Sequence, residues 1–261
     1  MIKILTERNY YSRKADKQYL SNSQYKDFLK CEAMAMAKIN GKYSEEPTKA
    51  MVVGSYVDAY FEGTLKKFTK NHPEIFTKQG KLRADYKKAD EMIARAERDP
   101  FFMKYMSGEK QVIETANVLS ADWKVKIDSL NSDSIVDLKT CRSFDRVYGI
   151  SFIQHWGYDT QLAIYQRVHE AVTGKLLPVY IAAITKEEVP DIEVISIPQW
   201  RLDECFNEVR NNIPRILNIK AGNIKPNDCG VCDFCKQNKV LTEPLDFELV
   251  GFNKRERKQI G

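Results

Sequence analysis

Residues 123–140, WKVKIDSLNSDSIVDLKT, spell out a β-hairpin, and any fold for this chain has to be built around it. Val125 and Ile127 alternate with polar neighbours, Asn131-Ser132-Asp133-Ser134 has turn chemistry, and Ile135-Val136 is β-branched. Asp128 closes the first strand, and Asp137 sits in the second, two residues before Lys139. Side chains alternate along a strand, so Asp137 and Lys139 share a face while Leu138 points to the core.

The flanking pattern extends this hairpin into a sheet. Residues 111–119, 123–128 and 134–139 read as three consecutive short strands, an antiparallel meander. A long helix is expected over about 150–173, with Gly174 as its C-cap. Residues 177–184 (LPVYIAAI) are almost continuously apolar, the mark of a central strand buried on both faces, and 192–197 supply another strand. A helix over about 200–220 contains Pro214. Upstream, a helix over residues 24–39 is expected, capped by Ser21 or Ser23, and another over 49–62. Residues 84–100 read as a helix whose charges face water. The order predicts an α/β (α+β) fold, a mixed central sheet flanked by helices. Residues 1–20 read as an irregular arm and 21–240 as a single domain with a helical insertion at about 60–110. Residues 241–261 read as a basic tail.

Lys and Arg exceed Asp and Glu by 41 − 36 = 5, which permits nucleic acid as a partner without selecting it. No apolar run approaches the roughly 20 residues that span a bilayer, and the N-terminus has no signal-peptide pattern. A cytoplasmic protein without a membrane partner is therefore expected. In that compartment its six cysteines read as thiols or metal ligands rather than disulfides.

An acidic-x-Lys triplet carries little information by itself. It recurs at Asp85-Tyr86-Lys87, Asp122-Trp123-Lys124 and Glu256-Arg257-Lys258. Only Asp137-Leu138-Lys139 lies in an apolar strand that follows, across a hairpin, another strand ending in Asp. The bland alternative is an i, i+2 ion pair on an exposed strand. The chemical one is phosphodiester hydrolysis, which needs charge neutralised on a pentavalent transition state and a deprotonated water in line. Mg²⁺ serves both needs and binds through one or two carboxylates. Asp128 and Asp137 would hold it, the Leu138 carbonyl could add a ligand, and Lys139 would orient or deprotonate the water.

Asp128, eight intervening residues, then Asp137-Leu138-Lys139-Thr140 resembles the core of the PD-(D/E)xK nuclease superfamily. Gln161-Leu162-Ala163-Ile164-Tyr165 is similar to the Q-x-x-x-Y motif of its RecB-like branch, which implies DNA-backbone contact or bracing of the site by Gln161 and Tyr165. Gly54-Ser55-Tyr56-Val57-Asp58 resembles the helix on which that branch carries G-x-x-x-H, the histidine being a metal ligand. Asp58 departs from that pattern but is an acceptable hard ligand for Mg²⁺ or Mn²⁺. Ile127 stands where a proline is usual, and Glu114 matches a further acid in the preceding strand. The likeness is to RecE-like phage exonucleases and covers about residues 20–240. It implies a restriction-endonuclease-like fold and a Mg²⁺- or Mn²⁺-dependent DNA exonuclease that resects ends for phage-type recombination. A single-strand annealing protein as partner and a ring-forming homo-oligomer are implied by resemblance alone, as is a bacterial host cytoplasm for a phage-encoded protein. The competing expectation is a nuclease-fold DNA-binding or assembly protein whose chemistry has been altered at Asp58.

Cys229, Cys232 and Cys235 form a C-x₂-C-x₂-C motif, three ligands of an incomplete tetrahedral set, so a fourth must come from elsewhere. Taken alone, Cys31 reads as a small buried hydrophobe. The RecB-like branch includes nucleases whose iron–sulfur cluster takes one cysteine from the N-terminal helix and three from near the C-terminus, which implies Cys31 as the fourth ligand. A [4Fe–4S] cluster is the first expectation and structural Zn²⁺ the second. Cys141 and Cys205 read as ordinary thiols.

Overall fold

The computed structural model describes residues 4–241 and 244–252. Residues 253–258, the basic end of the expected tail, lie outside them. The N-terminal half is helical: α1 (Arg13–Gln18), α2 (Asn22–Lys30), α3 (Glu32–Ile39), α4 (Lys49–Phe61), α5 (Leu65–Asn71), α6 (Ala84–Glu97) and α7 (Pro100–Tyr105). Next come β1 (Glu109–Val118), β2 (Ala121–Leu130), β3 (Ile135–Cys141), α8 (Phe152–Trp156) and α9 (Tyr158–Thr173). The chain continues with β4 (Val179–Thr185), β5 (Ile192–Ser196), α10 (Gln199–Lys220) and α11 (Asp233–Gln237). The chain divides into two compact units. One gathers residues up to Glu45, Asn117–Lys124 and those from Val209 on; the other gathers Glu46–Ala116 and Val125–Glu208.

The described strands form one sheet in the order β1-β2-β3-β4-β5, all of it in the second unit except residues 117–124 at the β1–β2 turn. β3 is antiparallel to β2, parallel to β4 through the α8–α9 crossover, and β4 is antiparallel to β5. This is the mixed α+β sheet expected from the sequence. One face of β3 and β4 packs Val136, Leu138, Ala182 and Ile184 against Val53, Tyr56 and Val57 of α4 and Met92 and Ile93 of α6. Burying each Val, Leu, Ile or Met side chain among these fully is worth about 1.5–3 kcal/mol. The spacing of 53, 56 and 57 is one helical face, and Thr48 starts α4 by accepting the Met51 N–H at 3.3 Å. A Cβ on Gly54 would meet Thr140 Oγ1 at 3.2 Å, so the glycine lets α4 lie close to β3. α6 presents its charges to water but buries Tyr86, Ala89, Met92, Ile93 and Ala96, a stripe that makes it a core helix as well as a solvated one.

Three expected elements are modified. The helix expected over 24–39 breaks at Cys31, whose backbone is extended at φ −164, ψ 111, giving α2 and α3. Ser21 is the cap, accepting the Gln24 N–H at 3.3 Å. The helix expected over 150–173 breaks at Gly157, left-handed at φ 62, and Gly174 closes α9 at φ 74. The arm expected over 1–20 contains α1 and buries Tyr10, Ala15, Tyr19 and Leu20. Its anchor, within the first unit, is Lys124, buried on β2 and reaching Asp16 at 2.7 Å and Tyr10 O at 2.5 Å. A tyrosine-rich polar segment looks irregular until the buried lysine that organises it is known.

Gly108 precedes β1 under a tight restriction. A Cβ there would lie 2.5 Å from the Leu130 carbonyl carbon and oxygen, backbone atoms that cannot turn aside. Gly108→Ala is expected to lower unfolding stability by about 1–3 kcal/mol through overpacking, read as a shift in the urea midpoint.

Candidate active site and cysteine cluster

Asp137, in the buried middle of β3, is the best-determined side chain of the site. Its Oδ1 accepts from Gln161 Nε2 of α9 at 2.8 Å. Its Oδ2 is faced by the Lys139 ammonium as an ion pair and is otherwise left without a hydrogen bond. Asp128 is held from two sides: Gln111 Nε2 donates to Oδ1 at 3.1 Å, and the Leu138 N–H donates to Oδ2 at 3.0 Å. That second bond ties the acid of β2 to the strand bearing the other acid. Asp58 comes from α4, four residues beyond the glycine that seats this helix on β3.

Electrostatics bind these groups together. Burial first, and repulsion from Asp128 second, push the Asp58 carboxyl up to about 8. Burial also raises Asp137, against the opposing pull of Lys139 and with the help of Asp128. Burial alone would lower Lys139, but Asp137 and Asp128 hold its ammonium above the ordinary lysine value. A lysine so held is a fixed positive charge rather than a base. Tyr158 lies beneath it, its ring centroid 5.1 Å from Nζ.

The structure thus brings Asp58, Asp128, Asp137, Lys139 and Gln161 into mutual influence. Gln161 is buried with its amide on Asp137, which is the bracing alternative of its expected role. Tyr165, buried one turn further along α9, shares the Gln161 face by spacing. Glu114 is engaged elsewhere: both its oxygens take His169 Nδ1, at 2.9 and 3.1 Å, in a buried pair between β1 and α9. Gln111 and Tyr158 were not among the expected site residues. Tyr158 lies three residues before Gln161, the first position of the Q-x-x-x-Y motif, and was open to detection. Gln111 had no local signal, because it reaches Asp128 from a strand residue in the left-handed region, φ 54.

In the first unit, Cys31, Cys229, Cys232 and Cys235 place their sulfurs all within 4.8 Å of one another. Cys31 and Cys235 Sγ are 3.5 Å apart, and Cys229 and Cys235 Sγ 3.9 Å. The break between α2 and α3 turns the Cys31 thiol into this group, and Gly230 at φ 76 lets the chain fold back through the motif. Burial would raise Cys229, but N–H groups of Val231 and Cys232 aimed at its sulfur bring it down to about 7, as suits a metal-binding thiolate. Burial pushes Cys235 up to about 12. Cys141 and Cys205 are buried and take no part.

A hairpin bearing Asp128 and Asp137-Leu138-Lys139, on a mixed sheet and braced by a crossover-helix glutamine, defines a PD-(D/E)xK-type domain. The profile of a PDDEXK-like domain family of unknown function matches residues 21–238, and the chain belongs to that family. A crystal structure from Eubacterium rectale, of a protein described as a "putative exonuclease", superposes with a TM-score of 0.91. It is 45% identical in sequence, over 95% of this chain and 98% of that one. No curated protein matches the chain. No helix among the described residues is long and apolar enough to cross a membrane.

The raised carboxyls set the sign of a pH effect on the metal-free protein. A carboxyl whose pKa is higher folded than unfolded stabilises the fold fully below the unfolded value, near 4, and loses that contribution as pH rises through the folded value. For Asp58 that window runs up to about 8. Thermal unfolding between pH 5 and 9 should therefore show a Tm that falls with pH in metal-free protein. Asp58→Asn should flatten the fall.

Proposed function

We propose that this protein is a divalent-metal-dependent DNA nuclease, acting as an exonuclease. The observation that carries the reading is the buried Asp137 held between Gln161 and Lys139, with Asp128 tied to the same strand. Asp58, Asp128, Asp137 and the Leu138 carbonyl are all hard oxygen donors, which suits Mg²⁺ or Mn²⁺. The raised carboxyls, crowded together and offering only hard oxygen donors, fit a place made for a cation. The ion, when bound, supplies Lewis acidity toward the phosphate and lowers the pKa of water.

The chain's own residues would do the rest. Gln161 fixes the Asp137 carboxylate by its amide, and Leu138 N–H and Gln111 fix Asp128, so neither acid has to be reoriented when substrate arrives. Lys139 contributes a fixed positive charge beside the scissile phosphate, orienting the attacking water and countering charge in the transition state. Its pairing with two acids favours this over proton abstraction. The exonuclease mode rests on the Eubacterium rectale relative and on the likeness to RecE-like enzymes. End resection alongside a single-strand annealing protein and a ring of subunits rest on that likeness alone.

For the cysteines, the sulfur spacing favours one ion over a cluster. Four sulfurs about 2.3 Å from a single tetrahedral Zn²⁺ lie about 3.8 Å from each other, close to the 3.5 and 3.9 Å found here. A [4Fe–4S] cube carries its cysteines on four separate irons and needs them further apart. We therefore place Zn²⁺ ahead of iron–sulfur at Cys31, Cys229, Cys232 and Cys235.

With Mn²⁺ and end-labelled duplex DNA, the wild-type protein is expected to shorten the label progressively. Asp137→Asn and Lys139→Ala should each lower the rate at least about 100-fold, the scale of removing one preorganised electrostatic group. Equal degradation by all three proteins would overturn the assignment. Elemental analysis of anaerobically purified protein is expected to give one zinc per chain and no colour. Stoichiometric iron in a brown protein would restore the cluster, and in either case Cys31→Ser should lower metal content and Tm together.

A further inference from the structure

Between β3 and α9 the chain leaves the sheet and returns, and there it turns aromatic side chains to water. Val147 and Ile150 pair across a tight turn, Val147 N–H to Ile150 O at 2.9 Å and Ile150 N–H to Val147 O at 3.1 Å. The two tip residues, Tyr148 and Gly149, lie at φ 50 and φ 82, the left-handed pair that a two-residue hairpin turn needs. Arg146 Nη1 braces the turn by donating to Gly149 O at 2.8 Å. Glycine takes such a conformation freely, whereas a bulky tyrosine is strained in it. Tyr148 is also 94% exposed. A tyrosine whose backbone is strained while its ring stands almost wholly in water adds little to the fold, and strain of this kind gathers at functional sites.

The ring has neighbours. Tyr148 is 5.9 Å from the His155 ring, and His155 lies edge-on to Trp156 at 4.7 Å, with Trp156 itself 55% exposed. Arg146, exposed, is held at this turn by its bond to Gly149, and Arg142, also exposed, lies four residues before it in the chain. A second aromatic line leads inward: Phe144 to Phe152 at 5.8 Å, Phe152 to Tyr158 at 6.4 Å, and Tyr158 to Lys139 at 5.1 Å. One short segment, residues 144–158, therefore carries both the line of rings that reaches the lysine of the candidate site and the group formed by exposed Tyr148, half-buried His155 and exposed Trp156.

We propose that Tyr148, His155 and Trp156 form a stacking platform for the unpaired bases of a DNA strand end whose phosphate lies at Asp128, Asp137 and Lys139. This rests on the nuclease reading above and specifies its substrate. Bases inside a duplex stack on one another and offer only their edges, so rings that take successive bases of one strand need those bases unpaired. The arginines complement the phosphates between those bases. The preferred substrate is then DNA with a frayed or single-stranded terminus, and a blunt duplex has to open before it is held.

The test uses a single-stranded DNA oligonucleotide with 2-aminopurine at its end, titrated with full-length protein and no divalent metal. Wild type is expected to quench the fluorescence. Tyr148→Ala and Trp156→Ala should each weaken binding about tenfold, the scale of one stacked base. Tyr148→Phe and Trp156→Phe keep the rings and should restore it. Both positions are exposed, and matching Tm values would establish that the variants fold. Absence of quenching, or equal affinity of wild type and the double alanine variant, overturns the platform. Adding Mn²⁺ separates the two readings. Cleavage with no dependence of binding on the rings overturns the platform and leaves the nuclease. Ring-dependent binding without cleavage keeps the platform and overturns the nuclease.

Discussion

Asp137 is a carboxylate in the middle of a hydrophobic sheet with one lysine and one amide for company. An ionised acid in such a place is costly, and two further acids, Asp58 and Asp128, act on it through the same medium. The surrounding architecture serves this one constraint. β3 is paired on both sides, so its backbone cannot relax away from the charge. α9 returns across the sheet to deliver Gln161, and α4 is seated by Gly54 to deliver Asp58.

Much of this was legible because its signals are local. The alternation around Asp128 and Asp137, the turn between them and the four-residue spacing of Gln161 and Tyr165 each lie within a few residues. The continuous apolar run of β4 likewise announced a strand buried on both faces. Other features depended on distant partners. The bend at Cys31 is dictated by a thiol that has to meet three others about two hundred residues away, and helical periodicity runs straight through it. Glu114 reads as a further acid of the site because nothing in β1 foretells His169 on α9. Gly157 was visible as a residue but not as a break, since glycine inside a helical pattern is often tolerated.

The N-terminal segment illustrates the same limit through charge. Its polar, tyrosine-rich composition argues against burial, yet Lys124 reaches into it with an ion pair to Asp16 and a bond to Tyr10. Composition measures what a segment prefers in water. Long-range pairing decides where it ends up, and that information sits on another strand.

The four sulfurs also have a topological consequence. Cys31 meets Cys235 across a sequence separation of 204 residues, and the whole second unit lies within the loop they close. Once bridged through a metal, that loop is a closed ring of chain. An unfolding machine that seizes either terminus can pull only as far as the clasp. The sheet bearing Asp137 stays out of reach of the pulling force until the sulfurs let go, so the metal would govern how this protein is taken apart as well as how it is assembled.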